Sequence, residues 1–435
     1  MAPPPPLQFA ARWAHTPGLR ARLWAQAAAA RLPLLGLGLA ATFVLHGTAT
    51  SLRAVAAVAA AVGLLQAAAG AVAALVIVPA GGRTHALLAW LHARAVAHRL
   101  LGGQLAPQLQ PLVQLLEGMR ARLPAAREAL LAQPGVERLQ LTTPDGVVLD
   151  GYIAGRTGAP AGAPQRLDAA RRPVLLYLCG NGEHAELAAG ALLATAHAQR
   201  GAAVCLVNYR SVGASGGVMS RDGAVLDAAT ALSYLVHACG FAPARVVVLG
   251  HSIGGAFGAE AARCFPGALL VHDRSFSRLS EVALFHVAGP WAAGPLAASP
   301  WGTLVRALVR GVVRHVAAWE LDAAAHWEHV SARVLVYSPA DRVIPLPAQM
   351  AAARGLVAGG GGGCEPPPPG AWGEPAGAAG GGAEAAAGEP GTCVLRLGGA
   401  GGADQHNRAL SPDEERRLWG AIDDHVAGRS LRRAA

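Results

Sequence analysis

The sequence predicts an α/β fold in which a mostly parallel central sheet is covered by helices on both faces. From Val136 onward, short runs of Val, Leu and Ile alternate with stretches of helical character. These runs are apolar at consecutive positions, which is typical of strands buried on both sides. In addition, a Gly-His-Ser-Ile-Gly sequence at 250–254 stands between one such run and a helical stretch.

The elements follow one another in a regular order. A strand, a Thr-Pro-Asp-Gly turn and a second strand open the region at 136–154, and a polar loop over 155–172 follows. Further strands are predicted at Val174–Cys179, Ala203–Asn208, Arg245–Leu249, Ala268–His272, Val334–Ser338 and Cys393–Leu397. Helices are predicted at Ala185–Gln199, Asp222–Ala238, Ile253–Cys264 and Pro412–Ala427.

Two segments interrupt this alternation inside a domain predicted to span 136–427. Residues 277–333 contain helical, Trp-containing sequence between two strands, which predicts a helical cap over the carboxyl edge of the sheet. Its four Trp residues either line an apolar slot or pack within the cap; they are Trp291, Trp301, Trp319 and Trp327. Residues 359–391 contain 13 Gly and 6 Pro, a composition that predicts a disordered insert.

The N-terminal part has a different character. Residues 1–31 form a basic flank rich in Pro and Ala, for which a cleaved transit peptide is the alternative. The stretches 32–50 and 54–78 are apolar and uncharged, which predicts a transmembrane helical hairpin within 32–80, or alternatively a buried Ala-rich helical pair. An amphipathic helical linker is expected over 81–135. Arginines flank the hairpin on its outer side, which places both of its ends, and the domain over 136–427, on the cytoplasmic-type side.

The distribution of charge argues against a nucleic-acid partner. All 36 basic residues are arginines, and eight of them precede residue 117, a stretch without any acidic residue. The other 28 nearly balance the 27 acidic residues, so the main domain carries no basic excess. No Cys-x-x-Cys pair occurs, so neither a metal site nor a disulfide framework is expected. Cys179 and Cys205 lie in apolar runs and are expected to be buried thiols.

The Gly-x-Ser-x-Gly motif predicts a nucleophilic serine. A strand that turns at once into a helix exposes the central residue of the turn, and only small neighbours fit around it. Ser252 therefore lies at the sheet edge, at the positive end of a helix dipole. The backbone N–H of Ile253 is then available to bind an oxyanion.

A nucleophilic serine needs a base, and the base needs an acid that orients it. Asp341 follows the strand at 334–338, and His406 follows the strand at 393–397. Their separation shortens to an ordinary strand–helix–strand distance when the insert is subtracted. Asp273 is the rival acid and His425 the rival base, although His425 falls inside a predicted helix. The second oxyanion donor is expected after the first central strand, at the N–H of Asn181 or alternatively of Gly182.

Together these motifs resemble the α/β-hydrolase superfamily over about Val136–Ala427. The sequences NYRSVGASGG (208–217), GHSIGG (250–255) and HDRSFS (272–277) are similar to those of chlamydial CHLPS-type hydrolases. The GNGE sequence at 180–183, the WGTLVR sequence in the cap and the paired N-terminal apolar stretches resemble the membrane-bound phosphatidylserine lipases of the α/β-hydrolase-domain group. The resemblance implies an α/β-hydrolase fold and hydrolysis of a lipid-like ester by Ser252, Asp341 and His406, without a metal or an organic cofactor.

The expected function is that of a membrane-anchored serine hydrolase that cleaves acyl esters, most simply those of phospholipids. An acyl-protein thioesterase would use the same chemistry. A non-catalytic adaptor on the same fold is the alternative from another functional class. The intact set of serine, acid and histidine favours an enzyme over that adaptor.

Overall fold

A single sheet of nine strands organises the described part of the chain. The computed structural model describes residues 7–10, 118, 121–155, 172–288, 299–316, 319–357, 391–398, 405–429 and 431. The predicted hairpin over 32–80, most of the linker over 81–135 and the insert up to residue 390 lie outside the described residues. Within the described ranges, no helix is both long and apolar enough to cross a bilayer.

The sheet is parallel except around one strand. Its strands are β1 (Leu7–Ala10), β2 (Val136–Thr142), β3 (Val148–Ala154), β4 (Val174–Leu178), β5 (Ala203–Val207), β6 (Val246–His251), β7 (Leu269–Asp273), β8 (Ala332–Tyr337) and β9 (Thr392–Arg396). They pair in the order β1-β2-β3-β5-β4-β6-β7-β8-β9. Only β3 runs antiparallel to its two neighbours. The predicted mostly parallel sheet is therefore confirmed.

Helices cover this sheet and connect its strands. They are α1 over 121–131, α2 (Ala185–Leu192), α3 (Arg221–Ser233), α4 (Ile253–Ala262), α5 (Leu279–Ala288), α6 (Pro300–Gly311), α7 (Ala323–Trp327), α8 (Met350–Ala353) and α9 (Pro412–Val426). Wider π-type turns extend α2, α3 and α6 over Leu193–Ala198, Tyr234–Ala238 and Val312–Val316. Each strand and helix predicted in the hydrolase-like region is confirmed to within two residues at either end.

The core consists of the central strands and the helices packed on them. Every residue of β4, β5, β6 and β7 is buried, as their continuous apolar sequence predicted. The thiols of Cys179 and Cys205 are buried in this core, also as predicted. One strand was not predicted: β1 lies within the supposed basic flank and pairs with β2. Its four residues are too few for a period-2 pattern to distinguish a strand from a loop.

The helices α5, α6 and α7 lie between β7 and β8, within the segment for which the sequence predicts a cap. Glu281 of α5 pairs with Arg306 and Arg310 of α6, so an ion-pair network joins these two helices. Trp319 and Trp327 are buried in the core, and the Trp327 ring contacts His272 of β7 edge to face. The packing alternative is therefore right for these two Trp, and the apolar-slot hypothesis is wrong for them.

Five parallel strands bring their carboxyl ends to one edge of the sheet. The strands β4, β6, β7, β8 and β9 are mutually parallel members of the sheet. In open α/β sheets, ligands bind outside this edge. The candidate catalytic and oxyanion residues, apart from His425, follow or end these strands.

Candidate active site

The turn between β6 and α4 exposes Ser252 through a strained backbone. Ser252 has φ 54° and ψ −125°, a region that residues other than Gly rarely occupy. A Cβ atom at Gly250 would collide with the backbone of Gly254, and one at Gly254 would collide with the carbonyl oxygen of Leu178. The backbone N–H of Ser252 donates to the carbonyl oxygen of Asp273, 2.9 Å away. The glycines of the motif are thus required by close approaches of the backbone.

The structure brings Ser252, His406 and Asp341 into one hydrogen-bonded series. Ser252 Oγ lies 2.9 Å from His406 Nε2, and His406 Nδ1 lies 2.8 Å from Asp341 Oδ2. All three residues are buried, being 7%, 4% and 4% exposed respectively. With Nδ1 donating to the carboxylate, Nε2 carries the lone pair that can accept the serine proton. The three residues come from the loops after β6, β8 and β9, as the sequence predicted.

The carboxylate of Asp341 is fixed by its own loop. Its Oδ1 atom accepts hydrogen bonds from the backbone N–H groups of Val343 and Ile344, both at 2.9 Å. The side chain of Gln349 donates to the carbonyl oxygens of Ser338 and Ile344, which closes the loop around the acid. One carboxylate oxygen is therefore held by the loop, and the other is directed at His406.

The two rival residues are placed differently. Both carboxylate oxygens of Asp273 accept hydrogen bonds from the guanidinium of Arg274, each at 2.8 Å. Although burial opposes ionisation, the adjacent Arg274 lowers the pKa of Asp273. His425 lies in the last turn of α9, where burial lowers its pKa, beside the backbone of Gly267. Gly267 precedes β7, so His425 lies at the opposite edge of the sheet from Ser252.

The two predicted oxyanion donors lie in the expected elements. Ile253 is the first residue of α4, and Asn181 and Gly182 form the turn that follows β4. A Cβ atom at Gly180 would lie 3.4 Å from the Ser252 Cβ and 2.8 Å from His251 Nδ1, so this turn runs directly beside Ser252. The choice between Asn181 and Gly182 stays a prediction.

Sequence reasoning missed a second polar series that touches the site. Glu183 Oε2 accepts from the backbone N–H of Gly180 at 2.6 Å and from the Tyr177 hydroxyl at 2.9 Å. Its Oε1 atom lies 3.6 Å from Nδ1 of His251, whose Nε2 donates to the carbonyl oxygen of His406 at 3.0 Å. Both residues belong to the quoted GNGE and GHSIGG sequences, but no spacing rule pairs them.

The charges in this second series stabilise each other. Burial opposes ionisation of Glu183, but the adjacent His251 imidazole and the hydrogen bond from the Gly180 N–H lower its pKa to about 2. Burial also opposes protonation of His251, but Glu183 and Asp273 outweigh it and raise the pKa of His251. Glu183 and His251, which favour each other's charged forms, therefore lie beside the loop that carries His406.

Comparison with known proteins identifies distant relatives. No family model matches the chain. It is 32% identical over 143 residues to the Bem46 protein of Schizosaccharomyces pombe, a stretch that covers 32% of this chain and 42% of that protein. It is also 31% identical over 169 residues to an uncharacterised protein of Mycobacterium tuberculosis, covering 39% of this chain and 54% of that one. The chain thus spans about half the length of these curated relatives.

A solved alpha-beta hydrolase from Vibrio vulnificus shows 22% sequence identity and a TM-score of 0.35, over 50% of this chain and 68% of that one. This similarity is too low to identify the fold, but the topology of the chain itself does so. The strand order, the single antiparallel strand β3 and the sharp turn at Ser252 are those of an α/β-hydrolase fold.

Proposed function

We propose that this chain is a serine hydrolase that cleaves carboxylic esters through an acyl-enzyme intermediate. The observation that carries the proposal is the hydrogen-bonded series from Ser252 Oγ through His406 to Asp341. A serine hydroxyl is a weak nucleophile unless a neighbouring base accepts its proton. The series supplies that base and the carboxylate that holds its tautomer.

In the proposed first half-reaction, Ser252 Oγ attacks the ester carbonyl carbon while its proton passes to His406 Nε2. Asp341 stabilises the imidazolium that forms. The N–H groups of Ile253 and Asn181 are proposed to stabilise the oxyanion, a contribution of about 3–4 kcal/mol per donor in related chemistry. The imidazolium then gives its proton to the departing alkoxide, which leaves as an alcohol.

In the second half-reaction, water replaces the alcohol. His406 Nε2 takes a proton from the water as its oxygen attacks the acyl carbon. The tetrahedral intermediate collapses with the bond to Ser252 Oγ breaking, and His406 returns the proton to that oxygen. The net reaction consumes one ester and one water and releases one alcohol and one acid.

For the substrate, we propose a lipid ester such as a phospholipid, hydrolysed by an enzyme that residues 32–80 anchor in a membrane with its catalytic domain on the cytoplasmic-type side. The support lies in the sequence, where two long apolar stretches precede the catalytic region. Alkaline carbonate washing of membranes measures the anchoring, because only integral proteins stay in the pellet. An acyl-protein thioesterase is the second candidate within the same chemistry.

Fluorophosphonate labelling tests the central proposal. The wild-type chain is expected to react with the probe, and Ser252→Ala, which removes the attacked oxygen, is expected to lose labelling completely while keeping its thermal unfolding midpoint. An unlabelled wild-type chain would support the adaptor alternative, and persistent labelling of the variant would refute the assignment of Ser252. For a labelled enzyme, hydrolysis is then compared on phosphatidylserine vesicles, a palmitoylated peptide and short nitrophenyl esters. The preferred substrate distinguishes a phospholipase, an acyl-protein thioesterase and an esterase for short acyl chains.

A further inference from the structure

The loop that carries His406 is held by side chains from two other strand ends. Residues 405–410 of this loop are described, and residues 399–404 before them are not. Three backbone carbonyl groups of the loop, those of Gln405, His406 and Arg408, accept hydrogen bonds from outside it. The donors are His251, at the end of β6, and Arg274, directly after β7.

Arg274 makes the more extensive of these contacts. Its Nη1 atom donates to the carbonyl oxygen of Arg408 at 2.6 Å and lies 3.5 Å from that of Gln405. These two residues flank His406 on either side. The guanidinium is buried, with 7% of the side chain exposed, so these bonds are protected from competing water.

Asp273 holds the guanidinium in the orientation that reaches these carbonyls. Its two oxygens bind Arg274 Nε and Nη2, each at 2.8 Å, which leaves Nη1 directed at the loop. Arg274 has φ 44°, an uncommon value for a residue with a side chain. A planar fork with five donors can bind a carboxylate and carbonyl groups at the same time, whereas the ammonium of lysine cannot reproduce that geometry.

We propose that Arg274, oriented by Asp273, is a positioning residue that places His406 Nε2 against Ser252 by holding the carbonyl groups on both sides of the histidine. We call these hydrogen bonds from Arg274 to the carbonyl groups of Gln405 and Arg408 the clamp. The proposal rests on the catalytic role proposed above for His406. In this proposal Asp273, the rival acid, does not bind the imidazole of His406. It orients Arg274, which in turn holds the loop.

The far end of the same loop has its own anchor. Arg408 binds the carboxylate of Glu414 in α9 and donates to the carbonyl oxygen of Gly398 at 2.7 Å. Loss of Arg274 should therefore displace His406 without detaching the loop from α9. A displacement of about 1 Å is enough to cost on the order of 10²-fold in rate.

Arg221 provides a matched control. Like Arg274, which has 7% of its side chain exposed, Arg221 is largely shielded from solvent, with 11% of its side chain exposed. It binds the buried carboxylate of Glu260 and donates to the backbone carbonyl oxygen of Glu320 at 3.1 Å. Its hydrogen-bond partners are Asp222, Glu260 in α4 and Glu320 in the cap segment, so within the described structure none of its hydrogen bonds reaches residues 405–410. Arg221→Ala therefore reproduces the loss of a buried ion pair without the loss of the clamp.

The experiment compares Arg274→Ala, Arg274→Lys and Arg221→Ala in the full-length chain, using a nitrophenyl ester, a fluorophosphonate and hydrogen–deuterium exchange. For Arg274→Ala we expect kcat and the labelling rate to fall on the order of 10²-fold with little change in KM, and millimolar guanidinium to restore part of the loss. Arg274→Lys keeps a positive charge beside the buried Asp273, so it is expected to fold even if Arg274→Ala does not. It should show a smaller loss of kcat and labelling rate than Arg274→Ala. Arg221→Ala should keep its labelling rate and gain nothing from guanidinium.

Deuterium uptake over 405–410 separates this proposal from the proposed function, because it needs no catalysis. Uptake should be faster in both Arg274 variants than in the wild type, and unchanged in Arg221→Ala. The clamp would be refuted if Arg274→Ala took up deuterium over 405–410 and reacted with the fluorophosphonate at the wild-type rates. It would also be refuted if Arg221→Ala lost as much of its labelling rate as Arg274→Ala. A wild-type chain that neither hydrolyses esters nor reacts with the fluorophosphonate would instead refute the proposed function, while the uptake would still decide the clamp.

Discussion

Two aspartates lie at the carboxyl ends of the adjacent strands β7 and β8, and they have different partners. Asp273 ends β7 and places both of its oxygens on Arg274. Asp341 follows β8, gives one oxygen to two backbone N–H groups of its own loop and directs the other at His406. Both carboxylates are buried, and both lie close to the loop of His406.

The difference shows that position on the sheet does not decide which carboxylate orients the histidine. What decides it is which hydrogen-bond donors lie next to each carboxylate. The guanidinium that follows Asp273 in sequence binds both of its oxygens side by side, so this carboxylate is turned towards Arg274. A loop that offers Asp341 only two N–H groups leaves one oxygen for His406.

The largest expected effect comes from neutralising the acid after β8. Asp341→Asn keeps the shape of the side chain but can donate to the imidazole, which favours the tautomer with the proton on the wrong nitrogen. We expect kcat to fall about 10³- to 10⁴-fold, as for the equivalent change in other triads, with the fold intact. Steady-state ester hydrolysis and urea unfolding of the purified variant measure both quantities.

The same change after β7 should have a smaller effect on rate and a larger one on stability. Asp273→Asn leaves the buried guanidinium of Arg274 without its counter-charge, which typically costs about 3–5 kcal/mol of unfolding free energy. Because the Asn oxygen can still accept one hydrogen bond from Arg274, we expect kcat to fall on the order of 10- to 10²-fold. If Asp273→Asn reduced kcat more than Asp341→Asn, the assignment of the two aspartates would have to be exchanged.

Much of this site could be predicted because the fold orders it along the chain. Strands that are apolar at every position identify a doubly covered sheet, and a serine in a Gly-x-Ser-x-Gly turn can lie only at its edge. Asp341 and His406 each follow a later strand, so topology alone brings them to the same edge. The choice of Asp341 over Asp273, which the sequence left open, follows from hydrogen-bond geometry.

The clamp on the His406 loop was not predictable in the same way. Arg274 and His251 act on backbone carbonyl groups more than 130 residues further along the chain, and carbonyl groups carry no sequence signature. The pairing of β1 with β2 was missed for a related reason, since a four-residue edge strand is defined by its neighbour and not by its own composition. Contacts of this kind depend on the three-dimensional arrangement.

The smallest effect that we expect concerns the residue before Asp273. His272 lies in β7 opposite Leu335 of β8, it is fully buried, and within the described structure neither of its ring nitrogens has a hydrogen-bond partner. Burial lowers its pKa to about 3. The unfolded chain binds a proton at this residue below about pH 6.5 and the folded chain does not, so His272 reduces stability progressively as the pH falls from 6.5 towards 3.

His272→Leu installs on β7 the residue that β8 carries at the paired position, and it removes this titration. Between pH 8 and pH 5 we expect the unfolding free energy of the wild type to fall more than that of the variant, by on the order of 2 kcal/mol. Urea unfolding of both proteins at the two pH values measures the difference, and any change in packing cancels because it affects both pH values alike. Parallel pH dependences would mean that His272 is protonated in the folded chain, and β7 would then hold a buried cation next to the Asp273–Arg274 pair.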